Sequence, residues 1–372
     1  MSTVEYISLE DPCSNLSARV TRRGTNWSTR KTLLVDRTSE GLLFNVLGEF
    51  GVENARFIGD VAVVQEGVQQ FAQLVDDLTQ KPYRSPEGRT SQLLQLQGFG
   101  ERIFGRIVPE KLQRSIRNWP SETWIGISSS EDWIPWELLH DGAGFLGDRF
   151  SLYRIPRCSD GGLVAQSRTT GKTSACSNRV VVHVIGGNLD DCADKSNAPF
   201  LKLKDRATFR PATKIVVAQL LPLVVDADIV HFTCHGRQKP FYLQIAGEAD
   251  ASVNLTADAL AVMRLKPGSL VFANACGSAA AELTLGEALS FGWAVYAKGA
   301  FYIGTLGAIR VDVALRFADL FYEQLAQYGD LFESFMHAKR GLNGEDDGIG
   351  HLLYCIYANP IETPEFGFVP AK

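Results

Sequence analysis

Hydrophobic positions in the second half of the chain fall into short apolar runs separated by amphipathic segments. The runs that we interpret as strands are residues 179–185, 229–234, 269–275, 300–305 and 352–357. They are rich in β-branched and aromatic residues, which is typical of strands buried in a parallel sheet. Helical spacing between and after these runs, for example at residues 255–265 and 311–328, predicts an α/β fold with a mostly parallel central sheet.

The first half of the chain has a different pattern. Residues 1 to about 59 are β-rich, with strand composition at 30–36 and 41–47. Apolar positions recur at helical spacing from Val64 to Leu78 and predict one helix. A second helical region at 91–116, with breaks expected near Gly98, Gly100 and Pro109, is followed by strands at 123–128 and 150–155. We divide this half into an N-terminal β/α region, residues 1–90, and a supporting half, residues 91–156.

A polar stretch separates the two halves. Residues 157–178 are rich in Ser, Thr, Gly and basic residues, and they predict an exposed linker that proteases cut easily. The reactive domain then occupies residues 179–372. We expect the halves to stay associated after cleavage of the linker, held by apolar contacts around Trp133 and Trp136, and we do not expect the chain to cut itself there.

Composition limits the compartment and the partners. The formal charge of −5 predicts no direct nucleic-acid partner, and there is no apolar window long enough to span a membrane. The N-terminus lacks the features of a signal peptide. Seven cysteines, an odd number, do not indicate a disulfide framework. We therefore expect a protein of the reducing cytoplasm, without a membrane partner.

Two of the predicted strands each deliver one reactive side chain at their carboxyl end. His235 follows the run at 229–234, and Cys276 follows the run at 269–275. Ligands bind beyond the carboxyl ends of strands in open α/β sheets. If the two strands are neighbours, the imidazole and the thiol share one cleft, as in a cysteine nucleophile with a histidine base. The backbone N–H groups of Gly236 and Cys276 are candidates for an oxyanion hole.

The same residues also have structural and metal-binding interpretations. Free cysteines are often simply buried, and His231, inside its strand, suits a core histidine better than His235 does. Zinc would need Cys234 and His235 on the same side, but adjacent strand residues point to opposite faces. Residues 186–187 lack the third glycine of a dinucleotide fingerprint. We expect no metal and no cofactor.

Charged residues in the predicted loops around the cleft define the candidate substrate pocket. They are Asp190, Asp191, Arg237, Glu248, Glu282 and Arg310. The acidic members would select a basic residue before the scissile bond, and the two arginines would select an acidic one. The sequence does not rank these alternatives.

Several motifs together resemble the CHAT family of caspase-like cysteine peptidases, in the wider clan of caspases and separases. The matching segments are His-Phe-Thr-Cys-His-Gly at 231–236, Leu-Val-Phe-Ala-Asn-Ala-Cys-Gly-Ser at 270–278, Ile-Pro-Trp-Glu-Leu-Leu at 134–139, Gly-Ala-Phe-Tyr-Ile-Gly-Thr at 299–305 and Tyr-Ala-Asn-Pro at 357–360. The resemblance covers roughly residues 93–360. It implies a caspase-like three-layer sandwich, Cys276 as nucleophile and His235 as base. It also implies that the half before the linker is a degenerate caspase-like layer.

The chain departs from many members of that family, because it contains no tetratricopeptide array and residues 1–90 match no known pattern. We therefore expect low basal activity that a sensor or partner protein raises in trans. The resemblance further implies a bacterial defence or cell-death role, with a pore-forming or regulatory protein as substrate. A catalytically silent module that binds peptides is the alternative. A hydrolase or transferase that acts on a non-protein amide is a third reading.

Overall fold

The protein is described by a computed structural model. The described residues are 30–48, 51–80, 85–129, 131–157, 179–187, 189–201, 203, 207–237, 241–280, 282–284, 287–344 and 348–358. Apart from Arg157, the predicted linker lies outside these residues, as do residues 1–29 of the N-terminal region. The expected exposure and cleavage of the linker therefore stay predictions.

Eleven strands form one sheet that runs through both halves of the chain. In spatial order they are β3 (Gly51–Ile58), β2 (Gly41–Gly48), β1 (Lys31–Thr38), β4 (Trp124–Ser129), β5 (Ser151–Pro156), β15 (Tyr354–Tyr357), β14 (Phe301–Thr305), β11 (Leu270–Asn274), β8 (Ile229–Thr233), β6 (Arg179–Ile185) and β7 (Ala207–Thr213). Seven of the ten neighbouring pairs are parallel. The mostly parallel central sheet that the apolar runs predicted is confirmed.

Four further strands form two small hairpins beside the sheet. They are β9 (His235–Arg237) with β10 (Tyr242–Gln244), and β12 (Glu282–Thr284) with β13 (Glu287–Leu289). The hairpin of β9 and β10 begins directly after β8, so it continues the chain from the buried sheet into the region of His235. This position makes β9 part of the candidate site.

Helices cover both faces of the sheet in the second half. One face carries α5 (Ala193–Leu201), α9 (Val311–Tyr328) and α10 (Leu331–Gly344). The other carries α6 (Val217–Val224), α7 (Ala257–Val262) and α8 (Phe291–Tyr296). Buried side chains such as Phe272 and Val230 fill the two layers between helices and sheet. The result is the three-layer sandwich that the resemblance implies.

The first half has its own apolar core. Here α1 (Val61–Gln80), α2 (Pro86–Ile107) and α3 (Glu110–Asn118) pack on β1, β2 and β4. The core side chains come from the apolar stripe of each helix and the inward face of the strands. Two short helices, α4 (Leu146–Arg149) and α11 (Gly350–Leu353), complete the described helices.

The sequence missed one strand and placed one break wrongly. Residues 207–213 form edge strand β7, which the apolar pattern did not predict, and α6 follows at Val217–Val224. An edge strand pairs on one side only, so it tolerates Pro211. In α2, Gly98 and Gly100 do not interrupt the helix. A Cβ at Gly100 would lie 2.6 Å from the carbonyl oxygen of Leu138, so this glycine serves close packing.

The two halves join through the sheet itself. Strand β5 of the first half pairs in parallel with β15 of the second, opposing Arg154 to Tyr357. Trp133 and Trp136 are buried in the core of the first half, and Leu138 of the same segment packs with Leu352 and Leu353 of the second half. A smaller apolar cluster, which includes Phe71 of α1, brings α1 against the residues around α11.

A buried ion pair anchors the segment at 134–139 beside this junction. Arg154 on β5 donates two hydrogen bonds to the Glu137 carboxylate, at 3.1 and 2.6 Å, and both side chains are almost completely buried. The same guanidinium donates to the carbonyl oxygens of Asp132 and Ile134. Ser290 of the second half donates to the Asp132 carboxylate at 2.7 Å. One arginine therefore holds a long irregular segment in place.

We predict that Glu137→Gln lowers the free energy of unfolding by about 3–5 kcal/mol, because the substitution leaves the Arg154 charge buried without its partner. Urea denaturation followed by circular dichroism measures the change. Asp226→Asn is the matched control, since Asp226 pairs with Arg210 on the exposed surface and its loss should not move the midpoint. An equal midpoint for the Glu137 variant and the wild type would contradict the prediction.

Candidate active site

Strands β8 and β11 are adjacent and parallel in the second half of the sheet. The last pair in their register is Thr233 with Asn274. His235 and Cys276 each lie two residues beyond this pair, where the chain has left β8 and β11. The two strands are neighbours, as the sequence predicted. Their reactive residues therefore lie at the edge of the sheet where α/β proteins bind ligands.

A glycine allows the two strand ends to come into contact. A Cβ placed on Gly236 would lie 1.8 Å from the carbonyl oxygen of Cys276 and 3.3 Å from its backbone nitrogen. No side chain fits there, so the backbones of residues 236 and 276 touch directly. Gly187 plays a similar part beside the histidine, because a Cβ there would lie 2.9 Å from Cδ2 of His235. Gly187 has φ of +62°, which glycine adopts without strain.

The thiol of Cys276 is half-buried and is held by backbone groups of one loop residue. The N–H of Ile309 donates to Sγ at 3.4 Å, and the thiol donates to the Ile309 carbonyl oxygen at 3.7 Å. Among the described residues, the thiol makes no hydrogen bond to His235. Burial raises the pKa of Cys276, the Ile309 backbone opposes the rise, and the carboxylate of Asp76 adds to it. The thiol is therefore protonated near neutral pH.

The turn after Cys276 is locked by polar contacts with the end of β14. Gly277 has φ of +64° and donates to the carbonyl oxygen of Gly307 at 2.8 Å. The hydroxyl of Ser278 donates to Ala273 and accepts from the N–H of Thr305. The polar role of Ser278 was not foreseen, although its place in the matched motif was a usable signal.

His235 has the electrostatic surroundings of a neutral base. The ring is half-buried, and burial together with the charge of Arg237 lowers its pKa from the ordinary value of 6.5. Arg237 in turn donates from Nε to the side-chain oxygen of Gln244 at 2.8 Å, across the hairpin of β9 and β10. A neutral imidazole can accept a proton from a thiol.

The two neighbouring candidates, His231 and Cys234, belong to the core. His231 is buried, and its Nδ1 lies 3.1 Å from the hydroxyl of Tyr322. Its partner is thus a hydroxyl, where the sequence had suggested a backbone carbonyl for a core histidine. Cys234 is buried in the layer on the other side of the sheet, and burial strongly raises its pKa. Among the described residues, no group of three His, Cys, Asp or Glu side chains could hold a metal ion.

The candidate pocket residues differ in their exposure and in whether an ion pair neutralises their charge. Arg237 is exposed, and its charge acts on both His235 and Cys276. Arg310 is also exposed, but it is paired with Asp312. Glu248 and Asp191 are exposed. The side chains of Asp190 and Glu282 lie outside the part of the chain that the structure describes.

We predict that the His235 imidazole titrates below its ordinary pKa of 6.5 and that Arg237→Gln moves the midpoint up, because a neighbouring positive charge disfavours protonation. NMR of the Cε1–H signals as a function of pH measures both midpoints. Arg310→Gln is the matched control and should leave the His235 midpoint in place. A midpoint that Arg237→Gln does not raise would show that the arginine has no influence on the base.

Comparison with protein families identifies the relationship. The family model of the CHAT domain matches residues 97–348, which is more than half of the chain and includes His235, Gly236 and Cys276. A search of curated proteins found no match. No described helix is long and apolar enough to cross a membrane. On the strength of the match and of the mostly parallel sheet with His235 and Cys276 at its edge, this chain is a member of the CHAT domain family, which is related to the caspase-like cysteine peptidases.

Proposed function

We propose that this protein is a cysteine endopeptidase in which Cys276 is the nucleophile and His235 the general base. The observation that carries the proposal is the register of β8 and β11, which ends with Thr233 beside Asn274, two residues before His235 and Cys276. Family membership supports the same assignment. A thiol beside an imidazole contains the two groups that nucleophilic catalysis by cysteine requires.

In the proposed reaction, a substrate peptide lies across this edge with its carbonyl carbon next to Cys276 Sγ. His235 accepts the thiol proton while the sulfur attacks the carbon and the C=O π electrons move to oxygen. The intermediate collapses, the C–N bond breaks, and His235 gives the proton to the leaving amine. Water, activated by His235, then hydrolyses the thioester and restores the thiol.

The oxyanion in this mechanism is assigned to the backbone N–H groups of Gly236 and Cys276. Support comes from the contact between the two backbones, which only a glycine at 236 permits. Donors held by a rigid backbone need no reorganisation when charge develops on the carbonyl oxygen.

A silent peptide-binding module is the second candidate function, and one observation favours it. The thiol is hydrogen-bonded to Ile309 and, among the described residues, not to His235. Such a thiol must turn before it can react. A peptide chloromethylketone separates the two functions: alkylation of Cys276 supports the peptidase, whereas binding without alkylation supports the module.

The biological role is proposed from the family relationship. The protein would cut one specific protein partner, of pore-forming or regulatory type, in a bacterial defence or regulated cell-death pathway. An uncontrolled peptidase is harmful to its own cell, so a sensor or partner protein would activate it in trans. The protonated thiol on Ile309 agrees with a low basal activity.

We predict that Cys276→Ala reduces cleavage to background and that His235→Ala lowers kcat/KM by about 10²–10⁴-fold, the usual contribution of a general base. Cleavage of a peptide library, followed by mass spectrometry, measures these losses with the activated protein.

The control for the Cys276 and His235 variants is Cys234→Ala. This substitution removes a thiol that is buried in the apolar layer under α6, α7 and α8, so the variant should keep its peptidase activity. Equal inactivation by Cys234→Ala and Cys276→Ala, with both variants folded, would refute the assignment of the nucleophile.

Substrate preference follows from the charge nearest to the dyad. We propose that Arg237 binds an acidic side chain next to the scissile bond, because it is exposed and its field reaches both His235 and Cys276. Arg310 is a weaker candidate, since Asp312 already neutralises it.

We predict that cleavage-site profiling yields an acidic preference and that Arg237→Gln reduces it by about 10- to 100-fold, the usual value of a hydrogen bond to a charged group. Arg310→Gln serves as the control and should leave the preference intact. A preference for basic residues would instead point to the acidic members of the pocket and would exclude this role for Arg237.

A further inference from the structure

A carboxylate from the N-terminal region reaches the loop that holds the nucleophile. We define the thiol loop as residues 306–310, which follow β14 and contain the residue that contacts Cys276. We propose that Asp76 is a positioning residue for Cys276: by binding the thiol loop it keeps the thiol on the backbone of Ile309 and not on His235. This inference rests on the proposed function of the dyad.

The contact between Asp76 and the thiol loop is short and direct. Oδ1 of Asp76 accepts a hydrogen bond from the N–H of Ala308 at 2.7 Å. At Gly307, an added Cβ would lie 2.9 Å from Cγ1 of Val75 and 3.2 Å from Oδ1 of Asp76. The loop backbone is therefore pressed against α1, and Ile309, the next residue after Ala308, holds the Cys276 thiol.

Apolar packing keeps α1 in this position. Phe71 and Val75 of α1 are buried in a cluster with Leu352 and Leu353, and Leu306 of the thiol loop packs on the same cluster. The N–H of Leu306 also donates to the carbonyl oxygen of Leu353 at 2.8 Å. A displacement of α1 would consequently pull Asp76 away from the loop and uncover one side of the cluster.

The charge of Asp76 acts on the thiol in the same direction as its contact with the thiol loop. Asp76 raises the pKa of Cys276, whereas Arg237 on the other side lowers it. Cys234 lies near enough for its own pKa to respond to Cys276, and burial keeps it protonated. The pKa of Asp76 is itself raised, first by burial and further by Asp77, while the Ala308 N–H opposes that rise. An ionised Asp76 thus favours a protonated thiol.

Release of Asp76 from the Ala308 N–H would change the position of the thiol loop and the charge near Cys276 together. The thiol loop would be free to move, the thiol would no longer be bound to the Ile309 carbonyl, and a negative charge would leave its neighbourhood. Loss of the charge and of the carbonyl acceptor favours the thiolate, which is the nucleophilic form of cysteine, whereas loss of the Ile309 N–H opposes it. A partner that displaces α1 could in this way convert the resting thiol into a reactive one.

The test is the alkylation rate of Cys276 by iodoacetamide as a function of pH in the full chain, measured on peptides by mass spectrometry. Asp76→Asn retains an oxygen acceptor for the Ala308 N–H but loses the charge, so the pH midpoint should fall. Asp76→Ala loses both the oxygen acceptor and the charge. For this variant we expect a lower pH midpoint and an alkylation rate at pH 7.5 about threefold or more above that of the wild type, because only the thiolate reacts.

The matched control is Asp77→Asn, which removes the neighbouring charge of the same helix. Asp77 is exposed and, among the residues that the structure describes, accepts a hydrogen bond only from Gln73, so the variant should react like the wild type. Unchanged midpoints for both Asp76 variants, or slower alkylation in either, would overturn the inference. If Asp76→Ala does not fold by circular dichroism, the midpoint of Asp76→Asn decides alone.

Alkylation does not depend on peptide cleavage, so the two proposals fail separately. Faster alkylation of the Asp76 variants without cleavage of any library peptide would support the positioning role and refute the peptidase. Cleavage by the wild type combined with unchanged alkylation in both Asp76 variants would support the peptidase and refute the positioning role of Asp76.

Discussion

The candidate site depends on the parallel pairing of β8 with β11. Parallel neighbours end at the same edge of a sheet, so residues the same distance beyond a register pair stand level. The pair of Thr233 and Asn274 therefore brings the strand ends that precede His235 and Cys276 to the same edge. Buried strands cannot slip by one residue without moving every inward side chain to the other face. The apolar layers on both faces consequently stabilise the relative position of the two reactive residues.

The same close pairing limits which residues can surround the site. Gly236 has no space for a side chain against the backbone of Cys276, and Gly187 has little space against the His235 ring. The Cys276 thiol is hydrogen-bonded to the backbone of Ile309, after β14, and Thr305 at the end of β14 donates to the carbonyl oxygen of the preceding residue, Ala275. Three strands of the sheet thus determine the environment of one thiol. None of them is adjacent to another along the chain.

The first half of the chain is part of this arrangement through the shared sheet. Its strands continue the sheet of the second half, Arg154 beside β15 fixes the segment around Glu137, and α1 delivers Asp76 to the thiol loop. The Asp76 carboxylate is half-buried and is held in place by one backbone donor, so water screens its charge less than it would at a fully exposed site. The N-terminal region is therefore placed to influence the ionisation of Cys276 as well as the stability of the sheet.

The sequence alone predicted the fold class, the neighbouring strands and the two candidate catalytic residues, His235 and Cys276. Buried strands have a continuous apolar composition, and the glycines that follow them mark where the chain leaves the sheet, so local pattern carries this information. The sequence did not predict edge strand β7, because a half-exposed run that contains Pro211 resembles neither a buried strand nor a helix. Only the tertiary structure placed Asp76 beside the Cys276 thiol. A single acidic residue on the partly exposed face of α1 has no local signature, and a contact across 232 positions arises from the packing of distant elements.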